Sequence, residues 1–110
     1  MHSTTERPEE TDWRAIAALY EELGRVTPSP IVELNRAVAV AMAGETDAGL
    51  DLIQQIEGID DYHLLHAARA DLLRRLGRRE EAAGAYRRAL ELVPNPVEQA
   101  FLERRLKEVG

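Results

Sequence analysis

The stretch Leu72-Leu73-Arg74-Arg75-Leu76-Gly77-Arg78-Arg79-Glu80-Glu81-Ala82 decides the fold. A helical pattern ends at Gly77 and a second begins almost at once. Tyr86, Ala89, Leu90 and Pro94 then follow. Glycine can take the left-handed conformation that closes the first helix. Small Ala82 and Ala89 let two helix backbones approach closely, and Tyr86 fills the space between them. The stretch therefore predicts an antiparallel helical hairpin over Asp60 to Pro94.

The same unit recurs at a step of 33 residues. Gly44, Gly77 and Gly110 stand at that spacing, as do Tyr20, Ile53 and Tyr86, then Ile16, Gly49 and Ala82, then Val40, Leu73 and Leu106. Pro28 and Pro94 lie two steps apart with Asp61 between them. Glycine at the turn, alanine five residues on, an aromatic after four more, alanine after three and proline after five resemble the tetratricopeptide repeat, whose period is ~34 residues. The missing residue is assigned to the connection between hairpins, where length is least constrained.

Working outward, residues 1–10 are polar and lack apolar periodicity, which predicts a disordered tail; residues 11–110 form the repeat domain. Thr11-Asp12 caps a helix from Trp13 to about Arg25 with Trp13, Ile16, Ala17, Leu19, Tyr20 and Leu23 as its apolar stripe. In register this is the second helix of a hairpin without its first, so it leaves an apolar face for another segment or a second copy to cover. Thr27-Pro28-Ser29-Pro30 turns the chain into a helix from Ile31 to Met42 that is apolar over most of its circumference. Gly44 ends it, and Thr46-Asp47 caps the next helix, whose buried side is Leu50, Leu52, Ile53 and Ile56. After the central hairpin, Asn95-Pro96 starts a last helix with Val97, Ala100, Phe101, Leu102, Leu106 and Val109; Arg104, Arg105, Lys107 and Glu108 give it a polar outer face. The predicted fold is all-α: a tetratricopeptide-like, right-handed solenoid of six helices comprising a half repeat, two full hairpins and a C-terminal capping helix.

A chain of 110 residues with no cysteine has no disulfide framework and no thiolate metal site. No stretch is apolar enough to span a bilayer, and a cytoplasmic location is expected. The net charge of −6 argues against direct DNA binding. Residues 1–61 carry 4 basic and 13 acidic side chains and residues 62–110 carry 10 and 7, giving −9 and +3. That asymmetry fits a charged partner surface or two ends of opposite sign within one molecule.

Few constellations offer chemistry. Asp60, Asp61, His63 and His66 could hold a divalent ion, but the same residues serve as helix cap and packing, and no metal is expected. Arg36 and Arg69, one period apart, require partners: Glu33 for Arg36, Asp71 or Asp61 for Arg69. Otherwise they serve as anchors for a partner's carboxylates. Arg74, Arg75, Arg78, Arg79, Arg87 and Arg88 read as a solvated face with local ion pairs. No phosphate loop, nucleophile triad or paired carboxylate is present, so neither enzyme activity nor a cofactor is expected.

Longer motifs carry a more specific resemblance. They are Asp12-Trp13, Ile16-Ala17-Ala18-Leu19-Tyr20, Thr27-Pro28-Ser29-Pro30-Ile31-Val32-Glu33-Leu34-Asn35-Arg36-Ala37-Val38-Ala39-Val40-Ala41, Tyr62-His63-Leu64-Leu65-His66-Ala67-Ala68-Arg69-Ala70-Asp71-Leu72-Leu73-Arg74-Arg75-Leu76-Gly77-Arg78, and Asn95-Pro96 with Phe101-Leu102-Glu103-Arg104-Arg105-Leu106. Over residues 11–109 the chain resembles the C-terminal tetratricopeptide-like extension of bacterial extracytoplasmic-function (ECF) RNA polymerase sigma factors. The resemblance implies a non-catalytic domain that regulates transcription initiation, with the sigma domains of its own protein or the polymerase core as partner. It also implies a truncated domain or a stand-alone relative, because the sigma domains themselves are not in this sequence.

Repeat geometry turns one row of each first helix into the concave groove: Leu34, Val38, Ala41 and Met42 from one hairpin, and Ala67, Asp71, Arg74 and Arg75 from the next. These residues are the expected docking surface. Trp13, Ala17 and Tyr20 would make a homodimer face if the N-terminal helix pairs with a copy of itself. Two further readings are a self-associating scaffold and a small-molecule sensor that uses the groove.

Overall fold

The two glycine turns set the path of the chain. In the computed structural model, which describes residues 12–109, Gly44 and Gly77 both take positive φ, at 112° and 80°. Each closes its helix with the same bond: Glu45 N–H donates to Val40 C=O at 3.3 Å, and Arg78 N–H to Leu73 C=O at 2.9 Å. These are Schellman closures, one period apart. Each turns the chain straight into an antiparallel partner helix.

Six helices result: α1 Trp13–Val26, α2 Pro30–Met42, α3 Thr46–Gln54, α4 His63–Arg75, α5 Arg79–Leu92 and α6 Pro96–Val109. No strand occurs among the described residues. Each helix packs chiefly on its neighbour in sequence, with a lighter contact from α2 to α4. The body measures 43 × 31 × 26 Å, a tetratricopeptide-like helical solenoid. Residues 1–10, read as a tail, lie outside the described residues.

Caps follow from side chains that reach backbone N–H groups left free in the first turn. Asp12 accepts from Ala15 N–H at 3.1 Å and Ser29 from Ile31 N–H at 3.2 Å; Asn95 accepts from Val97 N–H at 2.7 Å. Two expected caps are corrected. Thr46 is already helical, because the Schellman turn leads into α3 at Glu45, whose side chain makes no capping bond. Asp60 and Asp61 come too early to cap α4, which starts after Tyr62 without a side-chain cap. Asp60 instead uses its backbone carbonyl to accept from His66 Nε2 at 2.7 Å.

The core depends on close backbone approach. Among the described residues, eight of the 17 buried apolar side chains are alanines, so the helices can approach more closely than leucine-lined faces would allow. Gly49 marks the tightest point: a Cβ there would lie 2.6 Å from Ala41 Cβ and 2.7 Å from Ala37 O. Tyr86, Ile53, Leu72 and Leu73 are the largest fully buried side chains. Tyr20 was expected to be equivalent to Ile53 and Tyr86, but it is only half-buried. The physical reason is that, among the described helices, α1 packs closely on α2 only, whereas α5 is held between α4 and α6. No residue of α1 is fully buried.

The last helix also departs from expectation. Leu102 and Val109 are buried, but Val97 is 78% exposed and Phe101 49%. α6 is therefore not a wholly polar cap. Arg79 fastens its end, donating from Nη2 to Glu108 C=O at 2.8 Å and from Nε to Val109 C=O at 3.4 Å, which satisfies carbonyls left open at the C-terminus.

Candidate interaction groove

The first helices α2, α4 and α6 line a groove of about 410 Å3. α2 contributes Ile31, Leu34, Asn35 and Val38; α4 contributes Leu64, Ala67, Ala68, Asp71, Arg74 and Arg75; α6 contributes Phe101, Leu102 and Arg105. Tyr62 and Tyr86 complete it. Its size falls within the range of ligand-binding clefts, and its walls combine apolar side chains with a few charges.

Of the residues expected to line this surface, Leu34, Val38, Ala67, Asp71, Arg74 and Arg75 do so. Ala41 and Met42 do not. Ala41 is buried against Gly49 of α3, and Met42 borders a shallow hollow with Asp12, Trp13 and Arg14. Both share a helix face with Val38 but lie about one turn, roughly 5–6 Å, further along α2, where their neighbours are α3 and the start of α1 and not the groove. Trp13, Ala17 and Tyr20 are half-buried. They share helical spacing with Gly24, whose Cα faces Val32 and Glu33 of α2. The face expected to form a dimer is thus the face already packed on α2.

Arg36 pairs with Glu33 at 3.3 Å, as its position predicts. Arg69 finds neither expected partner: Asp71 is taken by Arg74 and Arg75, and Asp61 lies 3.9 Å from Arg88. His63 Nε2 lies 3.2 Å from Glu98 Oε2, a contact from α4 to α6. His66 is buried, with Nε2–H donating to the Asp60 carbonyl. The two histidines therefore have separate structural partners. Among the described residues no group of three or more histidine, aspartate or glutamate side chains converges as a metal site would require.

The charged wall is tightly connected. Asp71 accepts from Arg74 Nη2 and, at 3.1 Å, from Arg75 Nε; Arg74 Nε donates to the Tyr86 hydroxyl at 3.3 Å. Burial pushes the Asp71 carboxyl up, but the hydrogen bonds and charges of the two arginines outweigh it and hold the group below the usual carboxylate value. Hydrogen bonds to Asp71 and Tyr86 hold the Arg74 guanidinium above its ordinary value. At the other wall, Arg105 lies 5.1 Å over the Phe101 ring, and its Nε is buried without a partner. Three cations and one anion therefore flank an apolar floor.

Several lining residues are not singled out by the sequence, Ile31 and Leu64 among them. They stand 33 residues apart, with Val97 one step further on but outside the groove lining; each is the second residue of its first helix, and all are exposed, at 39%, 40% and 78%. The period carries that row, but in sequence each residue is indistinguishable from core. Phe101 and Arg105 read in sequence as the apolar and polar faces of a capping helix, whereas both line the groove.

Residues 63–96, which span α4 and α5, match the family described as tetratricopeptide repeat. An uncharacterized protein of Rhizobium meliloti (strain 1021) is 42% identical over 111 residues, an alignment covering 100% of this chain and 26% of that protein. The chain thus spans about a quarter of the length of the relative it matches. No solved structure matches the chain significantly. Stacked repeats of this kind build concave surfaces for binding other proteins. No helix among the described residues is long and apolar enough to cross a membrane.

Proposed function

We propose that this domain is a protein-docking module of an ECF-type RNA polymerase sigma factor, and that it supports or regulates transcription initiation by holding the sigma domains of its own protein or the adjoining polymerase in its concave groove. The exposed apolar pair Ile31 and Leu64 carries the docking part of this reading, because these two large side chains, at one register position of α2 and α4, line the groove beside the charged wall. A helix or extended segment with apolar anchors and an ionic partner fits such a surface. The long motifs of α2 and α4 are what support the sigma-factor part.

The test mixes this chain with the separately expressed sigma domains of an ECF-type sigma factor and measures binding by calorimetry. A complex is expected, and Ile31→Glu with Leu64→Glu should abolish it while leaving helical content unchanged, since both side chains are partly exposed. Absence of a complex at tens of micromolar, or an unaltered affinity in the double variant, refutes docking at the groove.

A further inference from the structure

A second apolar surface lies outside the groove, on α1. Leu19, Leu23 and Val26 are exposed at 70%, 44% and 77%. With Ile16 they form one stripe, rotated by about 110° around the helix from the residues that face α2. In repeat register, Ile16, Leu19 and Leu23 occupy the positions that Ala82, Ala85 and Ala89 hold in α5. Those three alanines are 0%, 1% and 0% exposed.

That comparison constrains what can cover the stripe. A first helix seated on α1 at hairpin distance requires a small residue at position 16, where α3 has Gly49 in contact with Ala37 and Ala41 and α5 has Ala82, although Leu52 and Ile56 stand at the other two positions in the α3 repeat. Ile16 holds a partner farther away, at the separation of two helices that interleave large side chains, and Leu19 and Leu23 supply the rest of such a contact. The spacing 16, 19, 23, 26 runs three, four, three, and is the same when reversed. An antiparallel copy of α1 therefore meets it residue for residue, Leu19 on Leu23 and Ile16 on Val26, as a two-fold contact requires. Charge also permits the pairing. Arg14 and Arg25 balance Glu21 and Glu22, so this helix is neutral in a chain of net charge −6; Arg25 lies 3.3 Å from Glu22 and 3.9 Å from Glu21.

We infer that the chain self-associates as a two-fold dimer through an antiparallel α1–α1 seam of Ile16, Leu19, Leu23 and Val26, a contact that uses none of the groove residues. One helix face per subunit is small for an interface, so association should be weak and concentration-dependent.

Because the chain has no cysteine, engineered thiols report the seam directly. Leu19→Cys and Leu23→Cys proteins are oxidised separately and as a mixture, and sedimentation equilibrium of the unmodified chain is run alongside. An antiparallel seam cross-links the mixture far more efficiently than either protein alone, and the unmodified chain shifts toward twice its monomer mass as concentration rises. Leu19→Glu with Leu23→Glu should restore the monomer without loss of helicity, since neither side chain is buried. A monomer at all concentrations, or cross-linking dominated by Leu19→Cys with itself, overturns the proposal.

Discussion

Arg74 and Tyr86 are joined across the central hairpin, the guanidinium Nε of one donating to the hydroxyl of the other at 3.3 Å. Tyr86 is 1% exposed, so the cation that flanks the groove is anchored to the most deeply set aromatic of the repeat. The docking wall and the core thus share a residue, and a change in one is transmitted to the other.

Removing the ring should damage both. Tyr86→Ala is expected to lower unfolding free energy by about 3–5 kcal/mol, the usual cost of truncating a buried aromatic. Tyr86→Phe keeps the packing and loses one hydrogen bond, worth about 0.5–1.5 kcal/mol. Urea denaturation of the three proteins should rank them in that order, and equal losses for both variants would show that the ring contributes nothing beyond its hydroxyl.

Two helical glycines should respond oppositely to alanine. Gly84 in α5 has nothing within 4 Å of where its Cβ would stand, so Gly84→Ala should stabilise by about 0.5–1 kcal/mol through helix propensity alone. Gly49→Ala forces α2 and α3 apart against backbone as well as side chain. It should destabilise by about 1–3 kcal/mol, as overpacking does. Thermal melts of the pair provide the check, and a stabilised Gly49→Ala would mean that the two helices separate freely.

Acid should weaken the charged wall. The Asp71 carboxyl lies below its ordinary value in the folded chain, so the unfolded state binds a proton first. Stability from this group is complete above the unfolded value of ~3.9 and is lost as pH falls through the lower folded value. Asp71 and its arginines are partly exposed, which keeps the effect below about 1 kcal/mol. In urea titrations between neutral pH and pH 2, Asp71→Asn should flatten this part of the acid limb. An acid limb identical to that of the unmodified chain would show that the pair contributes no pH dependence.

Much of the architecture was legible because it is local. Gly44 and Gly77 close helices through a backbone conformation that glycine favours, and the 33-residue step repeats hairpin, turn and small-residue contact in order. Asp12, Ser29 and Asn95 cap helices by reaching backbone only two or three residues away. Such features depend on neighbours in the chain, so the amino-acid order alone determined them.

Tertiary structure decided which side of each helix remained free. Val38 reached the groove while Ala41, three residues later, packed against Gly49, and helical spacing cannot choose between such positions until the neighbouring helix is in place. The same holds for α1, where contact with α2 used the Trp13, Ala17 and Tyr20 side and left Leu19, Leu23 and Val26 open. Ion pairing on α4 was by contrast local: Asp71 meets Arg74 and Arg75 three and four residues on, whereas Arg69, two residues before it, does not share that face, and tertiary structure added the bond from Arg74 to Tyr86. Periodicity defines a face, but the partner that covers it comes from elsewhere in the chain, because burial and long side-chain contacts depend on where whole helices sit relative to one another.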